Sequence, residues 1–174
     1  MAELIESILR ERGGNYGDFF DNARIAQKLK SILREERYYA ILPTLHKEAI
    51  DVMLSKVSRI MSGTWRYKDN WDDIAGYAML IVKRIDNFTP ATIPSTEAGC
   101  LITMQRIGRY MMGEPCWRIQ PFEVKLALEA ILAKVVSAIY SAVNNAKVWQ
   151  EVADVALDRY EWLLKELDGP SKAA

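Results

Sequence analysis

The residues best suited to chemistry are carboxylates. Glu48 and Asp51 stand three apart, so on a helix they share one face about one turn apart. Asp69, Asp72 and Asp73 follow at i, i+3 and i+4, again the spacing of one helical face. Carboxylates gathered from two helices repel one another, and a hard divalent cation relieves the repulsion. Mg²⁺ takes oxygen ligands octahedrally and keeps positions for substrate phosphates and water. Such an ion polarises a phosphoryl oxygen and generates a hydroxide nucleophile. The same acids also suit helix N-termini, where the dipole favours negative charge. Asn70 with Asp73 would then be a capping pair, and Glu48 a first-turn acid.

Helices must position these groups. Alternating β-branched runs with hairpin turns are absent, and apolar residues recur at helical spacing throughout. The pattern predicts a short helix over Ala2–Arg12, stopped by Gly13-Gly14, and a second from Phe19 to about Arg37. A third begins at Pro43 and Thr44, with Ile50, Met53, Leu54, Val57, Ile60 and Met61 on one stripe, and ends at Gly63. A fourth begins at Asp69 and Asn70 and runs to about Asn87, with Ser62–Lys68 as the turn before it. That antiparallel turn puts Asp69 and Asp73 nearest Ser55–Arg59. Phe88–Gly99, with two prolines, reads as a linker in which Ser95 caps a fifth helix through Met112. A sixth spans Pro121 to about Asn144 and a seventh Lys147–Leu167.

Shifting the chain by 78 positions lays Ala23–Leu80 on Leu101–Asp158 without a gap. Pro43 falls on Pro121, Lys56 on Lys134, Trp71 on Trp149 and Ala75 on Ala153. The expected architecture is therefore all-α, a tandem repeat forming a four-helix-like bundle with pseudo-twofold symmetry. Its units are residues 1–87 with the acids, the linker 88–99, a degenerate repeat at 100–167 and a frayed tail at 168–174, packed as one compact body. The repeat is an internal control. Shared residues, such as Trp71 with Trp149, suit the fold, whereas polar residues of one copy only are candidates for chemistry. Glu48, Asp51, Asp69, Asp72 and Asp73 fall on Leu126, Glu129, Lys147, Gln150 and Glu151. The second copy thus lacks most of the acids.

Other side chains carry two readings each. Arg59, Ser137 in the second copy, suits multidentate phosphate contacts. Lys56 binds phosphate or, being shared, serves the fold. Tyr16 and Phe19 either stack a base or anchor their loop. Asn22, with Cys100 as counterpart, fits a base edge or ribose. His46 reads as a surface or boundary residue.

Half the residues are hydrophobic and 26% charged, and 23 basic residues balance 23 acidic ones. Zero net charge argues against direct nucleic-acid binding. Cys100, Cys116 and the single His46 have no zinc spacing, so both thiols are expected free, in a cytoplasmic protein. No signal peptide is visible, and Glu129 and Lys134 interrupt the most apolar stretch, which argues against a membrane span.

The acids Glu48-x-x-Asp51 and Asp69-x-x-Asp72 resemble the paired acidic motifs of the MazG-like all-α nucleoside triphosphate pyrophosphohydrolases. Tyr16-Gly17-Asp18-Phe19, Asn22-Ala23, Glu48-Ala49, Lys56, Arg59 and Asp69-Asn70-Trp71-Asp72-Asp73-Ile74-Ala75-Gly76-Tyr77-Ala78 resemble its phage branch associated with nucleotide modification. The likeness covers about Gly13–Arg84. It implies Mg²⁺-dependent cleavage of a (d)NTP between the α and β phosphates, with Mn²⁺ as a substitute ion. Glu48, Asp51, Asp69 and Asp73 would hold the metal, and Glu48 and Asp73 would be catalytic. Asn22, Lys56, Arg59, Tyr16 and Tyr77 would bind the substrate. Gly76 departs from the wider pattern, where a last Asp aligns, so Asp72 and Asp73 compete as ligands. Relatives often dimerise to complete the bundle; a tandem copy would do so within one chain, and a homo-oligomer also fits. The rival expectation is a non-catalytic helical protein that sequesters a nucleotide or a host protein.

Overall fold

The computed structural model describes residues 2–85, 97–140 and 145–168. Every element in them is a helix: α1 (Ala2–Tyr16), α2 (Phe19–Arg34), α3 (Arg37–Ala40), α4 (Thr44–Ser62), α5 (Asp69–Val82), α6 (Glu97–Gly113), α7 (Pro115–Ile119), α8 (Phe122–Tyr140) and α9 (Ala146–Asp168). The all-α expectation is met, with differences of detail, among them the short α7, which the sequence pattern did not predict. α1 does not stop at Gly13-Gly14. It continues to Tyr16 and ends at Gly17, whose φ of 73° is the left-handed conformation that terminates helices. The second helix stops at Arg34, and the chain re-forms as the short α3. The fourth ends at Val82. The Ser95 cap, the linker up to residue 96 and most of the tail lie outside the described residues; residues 97–99 already belong to α6.

Four long helices carry the core. α4 packs on α5 and α8 on α9, and α5 lies along α9. α2 covers α4, and α6 covers α8. The stripe predicted on α4 is the buried one: Ile50, Met53, Leu54, Val57, Ile60 and Met61 are all at 0–1% exposure. Trp71 and Trp149 are fully buried, one on each of the two central helices, and Trp71 Nε1 donates to the Trp65 carbonyl at 2.7 Å. Two Arg–Glu clamps tie the outer helices together. Arg24 of α2 holds Glu114 through two 2.6 Å contacts, and Arg106 of α6 holds Glu36 at 2.7 Å. Glu36 and Glu114 precede α3 and α7 with nearly the same backbone, φ −77° and ψ near 130°.

His46 is not at the surface. It is fully buried on α4 against Trp149, with ring centroids 5.6 Å apart. Burial disfavours the charged imidazolium and holds its pKa down to about 4, from 6.5. Above pH 6.5 folded and unfolded imidazoles are both neutral. Between 6.5 and about 4 only the unfolded chain takes the proton, so stability falls across that window by about 3 kcal/mol. Val124 occupies the position 78 residues on. His46→Val is expected to remove this acid limb, read as urea unfolding free energy at pH 7 and pH 4.5.

Candidate functional site

A cavity of about 820 Å³ opens between α1, α2 and α4. That volume lies within the roughly 300–1,000 Å³ common for small-molecule sites. One face of α2 supplies Phe19, Asn22, Ala23, Ala26, Gln27 and Lys30, which recur at helical spacing. α1 supplies Leu9, Arg12 and Tyr16, and α4 supplies Ser55 and Arg59.

The turn between α1 and α2 fixes this geometry. The Asp18 side chain caps α2 by accepting from the Asp21 amide at 3.1 Å. The end of α1 is stapled to the end of α4: Ser62 Oγ donates to the Tyr16 carbonyl at 2.9 Å, and the Thr64 amide to the Asn15 carbonyl at 3.1 Å. Gly17 and Gly63 let the two backbones touch.

The lining has a direction. Tyr16, Phe19 and Asn22 lie at one end of the α2 face and Lys30 at the other, eleven residues or about 16 Å along the helix. The Arg59 guanidinium lies over the Tyr16 ring, 4.4 Å from its centroid, and Tyr67 packs edge-on against the same ring at 5.4 Å. Phe19 is 84% exposed at the rim. Among the described residues, Arg12, Lys30 and Arg59 have no acid partner, and the Arg59 guanidinium rests on the Tyr16 ring. Three cations from three helices therefore face one cavity, whose lining contains a single acid, Asp18.

The acids lie outside this lining, in two groups. α2 and α4 run antiparallel, since Asn22 meets Ser58 while Arg34 meets Asp51. The Lys30 end of the cavity thus points toward Asp51, one helical turn from Ser55, and Glu48 lies a turn beyond. Asp51 is held on both oxygens, by the Arg34 guanidinium and by Tyr39 Oη at 3.2 Å. The Asp51 hydrogen bond raises the Arg34 pKa, while burial first and then the Asp51 charge raise that of Tyr39. Glu48 is exposed.

On the other flank, as the antiparallel turn required, Lys56 reaches α5. Its ammonium pairs with Asp73 and lies 3.4 Å from Asp69. Lys68 takes Asp72. The capping pair expected at Asn70 and Asp73 does not form; the N-cap is Lys68, without a side-chain bond, and Asn70 is fully buried.

These carboxylates fit a hard divalent ion in chemistry, but not yet in position. Among the described residues no three His, Cys, Asp or Glu side chains come together to hold one ion. The Lys56–Asp73 pair also recurs 78 positions on, as Lys134–Glu151 at 2.6 Å. A contact present at both places suits helix packing. Glu48, Asp51 and Asp69, unlike Asp73, have no such equivalent contact.

Of the expected substrate residues, Tyr16, Asn22 and Arg59 share the cavity, whereas Lys56 and Tyr77 do not line it. Arg12, Gln27, Lys30 and Ser55 were not singled out from the sequence. For two of them a signal existed: Lys30 falls on Gly108 and Ser55 on Ala133, the same asymmetry that marks the acids.

Residues 1–85 match a family model described as a domain of unknown function, DUF6378. Every cavity residue, together with Glu48, Asp51, Asp69, Asp72 and Asp73, lies within that segment. No curated protein and no solved structure matches the chain.

Proposed function

We propose that the cavity binds a nucleoside phosphate and that the chain is a Mg²⁺-dependent (deoxy)nucleoside triphosphate pyrophosphohydrolase, releasing (d)NMP and pyrophosphate. The observation that carries this is the convergence of Arg12, Lys30 and Arg59 on one cavity with aromatic rings at one end. Unpaired cations suit an anion, and Tyr16 and Phe19 suit a flat ring. A nucleotide lying along α2 with its base at Asn22 carries its phosphates past Lys30 toward Asp51 and Glu48. The motif resemblance to the MazG-like enzymes supports the same reading.

Bound Mg²⁺ would neutralise phosphate charge and lower the pKa of a coordinated water. Glu48 and Asp51 are nearest the phosphate end; Asp69 and Asp73 join them only if Lys56 releases them. Glu48, exposed on α4 about two turns from Ser55, would take a proton from the attacking water. Arg59 and Lys30 hold the ligand, and Ser55 faces it.

The architecture suits one such site in a tandem repeat with a pseudo-twofold axis. The bounds of α6 to α8 follow those of α2 to α4 by 78 residues to within a residue or two, and the Arg–Glu clamps cross between halves in both directions. The second half offers Cys100, Gly108, Ala133 and Ser137 where the cavity has Asn22, Lys30, Ser55 and Arg59.

The pairing of Lys56 with Asp69 and Asp73 favours a second reading, a protein that binds nucleotide without turnover. A panel of NTPs and dNTPs incubated with Mg²⁺ and resolved by chromatography separates the two. The first reading expects monophosphate and pyrophosphate in equal amounts. Saturable binding with no product establishes the second, and no binding ends both.

A further inference from the structure

We infer that Asn22 selects the base: locked by Ser58, it presents only hydrogen-bond donors to the cavity and so favours bases with a keto oxygen, thymine, uracil and guanine, over cytosine and adenine. The inference rests on the reading that the cavity holds a nucleotide.

Asn22 lines the cavity on α2, and its Oδ1 lies 2.7 Å from Ser58 Oγ on α4. Ser58 is fully buried, so its hydroxyl proton must be given to a protein acceptor. Two are in range, Asn22 Oδ1 and the Ser55 carbonyl at 2.8 Å. The Ser55 carbonyl accepts within the α4 ladder and keeps a second lone pair, so it is the contact to Asn22 that decides the amide's orientation. Asn22 Oδ1 has no other donor among the described residues. The 2.7 Å separation also matches an O–H···O bond, which is shorter than the 2.9–3.0 Å typical of N–H···O. The amide is therefore held with oxygen toward Ser58 and nitrogen away from it. Its two N–H groups remain for a ligand.

Asn22 lies between the aromatic end and the run toward Lys30, where a base stacked at Tyr16 and Phe19 brings its edge. On that edge thymine and uracil carry O4 and guanine carries O6, all acceptors; cytosine carries N4–H₂ and adenine N6–H₂, both donors. An amino group there would face the Asn22 N–H groups, donor against donor. One unmet polar contact in a partly desolvated cavity is worth about tenfold in affinity. Cys100 replaces Asn22 and Ser137 replaces Arg59 at the corresponding second-half positions, so no duplicate reader exists there.

Calorimetric titration of dTTP, dUTP, dGTP, dCTP and dATP without Mg²⁺, to avoid turnover, tests this on the whole chain. The wild type is expected to bind the three keto bases about tenfold more tightly than the other two. Ser58→Ala frees the amide to turn over, and the preference should collapse toward unity while the tighter affinity falls little. Asn22→Asp presents acceptors in place of donors and should favour dCTP and dATP. Circular dichroism confirms that each variant folds.

Equal binding of all five by the wild type overturns the inference and leaves the cavity reading intact. So does a uniform loss across bases in Asn22→Asp, or a keto preference that survives Ser58→Ala unchanged. A wild-type preference for dCTP and dATP means the amide stands the other way round, and also overturns it. Binding of none of the five overturns the cavity reading itself.

Discussion

Glu48→Gln is expected to lower Mg²⁺-dependent turnover by on the order of 100-fold or more, with an unchanged melting temperature. Gln keeps the shape of Glu and removes its charge, so it can neither share a divalent ion nor take a proton from water. The fold has little to lose, because Glu48 is exposed on α4. Asp73→Asn should behave differently. It breaks a contact to Lys56, whose side chain is only 10% exposed, and leaves that ammonium with Asp69 at 3.4 Å. Asp73 is itself about a third exposed, so the loss is modest, about 1 kcal/mol. Glu151→Gln, which breaks the corresponding contact to Lys134, should cost a similar amount and spare turnover. Initial rates and melting curves on the three variants make the comparison. If Asp73→Asn is as inactive as Glu48→Gln and melts like the wild type, Asp73 is a ligand and its tie to Lys56 is incidental. Full turnover by Glu48→Gln removes Glu48 from the chemistry.

Much of this fold was legible because helix formation is a local matter. The stripe of Ile50, Met53, Leu54, Val57, Ile60 and Met61 recurs at the period of a helix and is the buried face of α4. Gly63 after α4 was readable for the same reason. Gly13-Gly14 misled, because glycine lowers helix propensity by only about 1 kcal/mol. The true stop, Gly17, is set by a tertiary contact with the end of α4 that no local pattern contains.

The acids were legible as residue types and spacings, and the turn before α5 set Asp69 and Asp73 beside Ser55–Arg59, but the individual pairings were not. Arg34 to Asp51 spans seventeen positions, and Lys56 to Asp73 the same. Which cation meets which acid depends on how α2, α4 and α5 are rotated about their axes, and helical spacing leaves that rotation open. The cavity needed still more. Arg12, Lys30 and Arg59 come from three helices, and only the packing of α1 across α2 and α4 brings them together. His46 was misplaced because a single polar residue on an apolar helix gives no sign of whether a ring such as Trp149 will cover it.

Gly17→Ala is expected to cost about 3 kcal/mol or more and to abolish ligand binding. Gly17 has a φ of 73°, a conformation that costs a side-chain-bearing residue about 1–2 kcal/mol. Steric overlap costs more. A Cβ on Gly17 would stand 2.0 Å from the Ser62 carbonyl oxygen and 2.4 Å from its carbon, both backbone atoms at the end of α4. Neither can rotate away as a side chain would. Relief requires the end of α1 to lift from α4, which breaks the Ser62–Tyr16 and Thr64–Asn15 hydrogen bonds. Tyr16 then leaves Arg59, and Leu9 and Arg12 leave the cavity wall. The core of α4, α5, α8 and α9 lies on the far side of α4 and should stay folded. The expected result is thus a helical protein by circular dichroism with a lowered melting temperature and no calorimetric signal for nucleotide. Gly76→Ala is the control, since a Cβ there meets nothing within 4 Å and the helix gains propensity. A Gly17→Ala protein that binds nucleotide as the wild type does would show that the ligand sits elsewhere than between α1, α2 and α4.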